Sequence, residues 1–126
     1  MAALKEKGIA LLSSTASVDM QTAQKTTLYT VPSGKTAVIC FVVVRSPSAS
    51  LAGGTEYDFG TGDNANTWKQ DVNLSSMTTL STDVMVIDTN NTKYSNCAGS
   101  SAFGIKVITG STLAATCTID VFGYLY

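Results

Sequence analysis

Residues able to do chemistry are the place to begin, and the first candidate is Gly60-Thr61-Gly62-Asp63-Asn64-Ala65. It satisfies the G-x-G-x-x-A pattern that seats a pyrophosphate on a helix N-terminus, but a dinucleotide site needs a long helix and a parallel strand afterwards. Residues 66–71 offer a turn or two at most, so a glycine-rich connection between strands is the better reading. Gly34-Lys35-Thr36 has the ending of a phosphate loop, yet Tyr29 stands where its first glycine belongs and a strand follows. Asp58-Phe59-Gly60 matches a kinase metal motif in a chain far too short for that fold. Asp58, Asp63, Asn64 and Asn66 crowd into nine positions and offer oxygens for a hard cation, but without an EF-hand pattern local turn hydrogen bonds are the plainer use.

Acid–base and nucleophilic chemistry fare no better. The chain contains no histidine, which removes the commonest general base and the commonest metal ligand together. Ser100 and Ser101 lie between Gly99 and Gly104 without forming a nucleophile elbow. Cys40, Cys97 and Cys117 are odd in number and lack C-x-x-C spacing, which favours buried free thiols over zinc, with a Cys40–Cys117 bridge as the alternative. Asn73-Leu74-Ser75 and Asn90-Asn91-Thr92 match the glycosylation sequon, as chance allows in a chain with eighteen threonines and fourteen serines. No enzyme and no cofactor are expected.

The elements that would carry these residues are strands. Thr36 to Val44 is a β-branched run, apolar from Ala37 onward, which reads as a central strand covered on both faces. From Ala115 to Leu125, Cys117, Ile119 and Val121 alternate with Thr118, Asp120 and Phe122, the period of a half-buried strand. Shorter candidates are Leu28 to Val31, Thr55 to Phe59, Val72 to Leu74, Val84 to Asp88 and Ala102 to Thr109. The one local helix candidate is Asn64 to Asp71, with Trp68 anchoring a turn. These features predict an all-β, single-domain antiparallel β-sandwich, jelly-roll-like, with seven to eight strands over residues 1–126. Residues 1–17 form either an N-terminal arm or one more strand. Lys5 and Lys7 before Ile9 to Leu12 imitate a signal peptide, but the apolar core is too short and Glu6 interrupts the basic end, so the segment reads as mature sequence. Val38, Cys40, Val42, Ile105, Val107, Ile119 and Val121 are the expected core.

Composition then bounds the partners. Charged residues are 13% of the 126 and the formal net charge is -1, so no basic surface is available for nucleic acid. No stretch has the length of a membrane span. A surface of hydroxyls and short apolar groups suits contact with other copies or a larger assembly. Phe122, Tyr124 and Tyr126 fall on the face of the last strand opposite the core. With Trp68 they are the candidate interface residues, for another subunit or a sugar, unless a second layer of the same chain covers them.

Leu28-Tyr29-Thr30-Val31-Pro32-Ser33-Gly34-Lys35-Thr36-Ala37 and the strand to Val44 resemble a segment of small β-sandwich virion proteins of tailed bacteriophages. Thr118-Ile119-Asp120-Val121-Phe122-Gly123-Tyr124-Leu125 and the Asp58-Phe59-Gly60-Thr61-Gly62 loop resemble the same class, so that about a third of the chain is involved. Such proteins serve as capsid decoration or cement proteins, often trimeric, or as tail and fibre modules. The resemblance implies a virion location on the capsid surface, the major capsid protein as partner, a homotrimer, and a role in stabilising the shell. The alternative it implies is a tail or fibre module that binds host polysaccharide. It brings no catalytic residues.

Overall fold

The computed structural model describes residues 8–87 and 96–126. Nine strands are present among them: β1 (Ala10–Asp19), β2 (Lys25–Thr30), β3 (Ala37–Arg45), β4 (Glu56–Gly60), β5 (Lys69–Val72), β6 (Val84–Ile87), β7 (Asn96–Cys97), β8 (Ala102–Thr109) and β9 (Thr116–Leu125). They form two antiparallel sheets, one in the order β1-β9-β3-β6 with β7 also on β3, the other β2-β8-β4-β5. The chain crosses repeatedly between the sheets, which is the two-layer sandwich of the jelly-roll kind. The count exceeds the expected seven to eight partly because β7 has two residues, too few to display a period. Residues 10–19 form strand β1 at one edge of the five-stranded sheet. Asp88, Asn90-Asn91-Thr92 and residues 1–7 lie outside the described residues.

The core is the space between the sheets. Tyr57, Phe59, Phe103, Ile105 and Val107 enter from one side, and Ala37, Ile39, Val42, Val44, Cys117, Ile119 and Val121 from the other. Two of the expected core residues are not there: Val38 and Cys40 are only half-buried. The reason is a β-bulge. Ile39 stands opposite Gly123 and Phe41 opposite Phe122, so Cys40 is an extra residue with no partner on β9. One added residue reverses the alternation, so Ala37 and Ile39 point inward before it, Val42 and Val44 after it. Nor is β3 covered on both faces, because Val38, Phe41 and Val43 are left half-exposed on the outer one.

Trp68 secures this place. Its ring is buried, edge-on to Phe59 at 6.4 Å and to Phe103 at 5.7 Å, and its Nε1 donates to the Ile39 carbonyl at 3.1 Å. A buried indole N–H needs an acceptor, and the acceptor chosen lies next to the bulge. Gly123 meets the bulge from β9, where a Cβ would run into the Val38 carbonyl oxygen. Across the sandwich, the Tyr57 hydroxyl donates to the Met20 carbonyl at 2.8 Å.

The helix expected over 64–71 is replaced by turns and β5; no described residue is helical. Ala65 has φ 46°, a left-handed conformation that breaks a helix before it begins, and Trp68 N–H pairs with the Phe59 carbonyl at 3.0 Å. The strand expected over 72–74 runs instead from Lys69 to Val72, because the Asn73 side chain accepts from Ser75 N–H at 2.9 Å and turns the chain.

Two substitutions test this packing. Ile119→Asp forces a carboxylate into a fully buried apolar position and should abolish the cooperative transition seen by circular dichroism. Trp68→Phe keeps the ring but strands the Ile39 carbonyl, and urea unfolding should show a loss of about 2–3 kcal/mol.

Candidate contact face

The five-stranded sheet has a second face, turned away from the core, and the register assembles it from four strands. Residues directly opposite one another share a face. Leu11 of β1 pairs with Phe122 of β9, Phe122 with Phe41 of β3, and Phe41 with Ile87 of β6. The result is one apolar row across the whole sheet. Leu11 and Ile87 are 54% and 51% exposed, while Phe41 and Phe122 are half-buried and stack on each other with centroids 4.6 Å apart. The next row continues with Val43 and Met85, and the preceding one holds Val38 beside Tyr124. Among the described residues no second layer lies over this face, since the N-terminal segment from residue 10 onward runs beside β9 instead of across it.

Of the aromatic residues singled out from the sequence, Phe122 and Tyr124 lie on this face. Tyr126 follows β9 at its end, with its ring 6.5 Å from that of Tyr124 and its hydroxyl accepting from Asn96 Nδ2 at 3.1 Å. Trp68 does not join them. It is 4% exposed, spent on the core and on Ile39, so its ring is not offered to a partner. Sequence reasoning missed Leu11, Phe41, Met85 and Ile87, whose facing depends on register.

One polar feature interrupts the apolar face. Asp120 accepts from Arg45 Nε at 2.8 Å and from Ser14 Oγ at 2.6 Å, tying β9 to both its neighbours. Burial pushes its carboxyl up, but the hydrogen bonds from Arg45 and Ser14 and the guanidinium charge outweigh this and hold it below its ordinary value. The charge is thereby neutralised in place.

The other chemical candidates end up apart. Asp63, Asn64 and Asn66 are exposed in the turn after β4, whereas Asp58 is buried and accepts from Asp71 N–H at 3.0 Å. The carboxylates brought within 4.8 Å are instead those of Glu56, Asp58 and Asp71. Desolvation, the hydrogen bond and charge of Asp71, and the charge of Asp58 push the Glu56 carboxyl up. None of the three cysteines is in a disulfide. A Cys40–Cys117 bridge is ruled out by register: Cys40 sits beside Phe122 and Gly123, about 17 Å along β9 from Cys117 at the strand rise. Burial pushes the Cys97 and Cys117 thiols up to about 11, which leaves them protonated and unreactive at neutral pH.

No known protein family matches the sequence, and no curated protein does. Solved structures do match the fold. A chain in the acidic stable capsid structure of Helicobacter pylori bacteriophage KHP30 aligns with a TM-score of 0.54 and 12% identity, covering 93% of this chain and 91% of that one. A chain in the capsid of Ralstonia phage GP4 aligns at 0.53 with 15% identity, covering 92% and 85%. One in the capsid asymmetric unit of cyanophage Pam1 aligns at 0.52 with 16% identity, covering 93% and 83%. At these identities the likeness is one of fold, extending over nearly the whole chain in each case.

The Asp120 clamp carries a pH signature. Its folded pKa is depressed, so its contribution is fully present above the unfolded value near 4 and is lost as pH falls through the folded one. Arg45 is 41% exposed in its side chain, which screens the pair, so Asp120→Asn should cost about 1–2 kcal/mol at pH 7. The difference between wild type and variant should shrink steadily in urea titrations below pH 4.

Proposed function

We propose that the chain is a structural protein of a bacteriophage virion, and within the virion a decoration or cement protein on the outer capsid surface. The observation that carries this reading is the apolar row Leu11–Phe122–Phe41–Ile87, which no other described residue covers as a second layer, set on a fold shared with chains from three phage capsids. Exposed apolar surface of this continuity is characteristic of contact sites. Its partner in this reading is the major capsid protein, and its assembly is a homotrimer seated over the joints between capsid subunits.

Size supports a lattice in place of a single strong contact. Four strands by about five residues cover only about 300 Å² at the usual strand spacing and rise, below the roughly 800 Å² per partner of a standard interface. Joining three copies and presenting them to a repeating shell multiplies a modest contact. The role is stabilisation by binding the assembled state, not catalysis. The alternative, a tail or fibre module gripping polysaccharide, loses the aromatic platform of Trp68 and rests on Tyr124 and Tyr126.

The reading is tested by mixing the protein with undecorated heads, sedimenting them and melting them. It should co-sediment and raise the melting temperature, with little loss at high salt because the contact face is nearly neutral. Phe122→Asp, half-exposed and therefore compatible with folding, should weaken binding by about tenfold or more. Binding to host cells or their polysaccharide without binding to heads would replace decoration with adhesion.

A further inference from the structure

Strand β6 differs from the other sheet edges. An edge strand directs the N–H and C=O of every second residue away from its neighbour, and natural sheets blunt such edges with charges, bulges or twists. Among the described residues, β7 is only two residues long and the three other edge strands are blunted. β1 is bulged at Leu12 and at Ala16-Ser17, where Ser17 has φ 57°; β2 opens on Lys25 and is irregular at Leu28; β5 reads Lys69-Gln70-Asp71-Val72, with Asp71 at φ 58°. β6, Val84-Met85-Val86-Ile87, has no charge and no irregularity in its register, and among the described residues it pairs with β3 alone. Beside it, between β5 and β6, lies a groove of about 380 Å³, with Val72, Val84 and Val86 on its apolar side and Lys69, Asp71 and Asn73 along β5 and its end.

We infer that β6 accepts an extended, uncharged stretch of another virion protein as an added strand, with alternate side chains of that stretch filling the groove. The inference rests on the virion reading above. The chemistry of the occupant follows from the edge, because only another extended backbone satisfies a row of alternating donors and acceptors. The uncharged strand and the valines of the groove favour small aliphatic side chains at every second position, while Lys69 and Asp71, opposite in sign, add no net charge to the lining. A second free copy is a poor occupant. Four residues of edge run for about 13 Å, far too little for the roughly 1,600 Å² that holds two separate bodies together. A segment whose own body is already fixed in the shell pays no such penalty, since tethering supplies a high effective concentration.

Hydrogen exchange followed by mass spectrometry tests this on the whole protein, free and bound to undecorated heads. Exchange in the segment 84–87 should slow by about tenfold or more on the heads. Val84→Lys places an inward charge at the edge; it should cancel that slowing while co-sedimentation through the outer face persists. Should this variant not fold, the wild-type comparison decides alone. Equal exchange on and off the heads, with co-sedimentation intact, overturns the added strand and leaves the virion reading standing. Protection already present in the free protein overturns it too, identifying a second copy if it grows with concentration and the chain itself if it does not. Failure to co-sediment overturns both.

Discussion

The extra residue in β3 at Cys40 decides what the rest of the molecule can be. Without it, the alternation that buries Ala37 and Ile39 would carry Phe41 and Val43 inward and push Val42 and Val44 out. The two aromatic rings of the outer row would then lie on opposite faces. The bulge is held from two directions, by the Trp68 indole on the Ile39 carbonyl and by the bare backbone of Gly123, which lets β9 approach where a side chain would collide. Core and outer apolar face are therefore specified by the same few residues. Trp68, which looked from its type like a surface anchor, shapes the surface only from inside.

The outer face combines stiffness with low charge. Strands β1, β9 and β3 are joined by the backbone ladder and again by Asp120, whose carboxylate accepts a hydrogen bond from each neighbour. A buried charge answered within its own sheet costs a partner little to cover, because its main hydrogen-bond partners are already in place. The face thus offers an apolar, preorganised surface with a satisfied polar centre. Preorganisation matters for a small contact, since ordering costs would consume much of what limited burial provides.

Much of the fold was legible in the sequence and the parity of its central strand was not. The alternation of Cys117, Ile119 and Val121 against Phe122 and Tyr124 placed β9 and its two faces correctly, since each position differs in polarity or size from the next. In β3 every residue from Ala37 to Val44 is apolar, so no periodicity marks an inserted residue, and Val38 and Cys40 were assigned to the core in place of Ile39 and Val44. The same silence hid Phe41 from the outer apolar row. Leu11 and Ile87 were hidden differently, because their membership depends on pairing with strands more than thirty residues away. The turn after β4 looked helical because Trp68 and its neighbours have no β alternation, and only the left-handed Ala65 shows why no helix forms.

The most direct test of the account is a cryo-electron microscopy reconstruction of heads carrying the protein, at a resolution that separates strands. The account predicts that the outer face of the β1-β9-β3-β6 sheet is turned toward the shell or a neighbouring copy, with Phe41 and Phe122 covered. Density showing that face open to solvent, with contact made through the β2-β8-β4-β5 sheet, would contradict it.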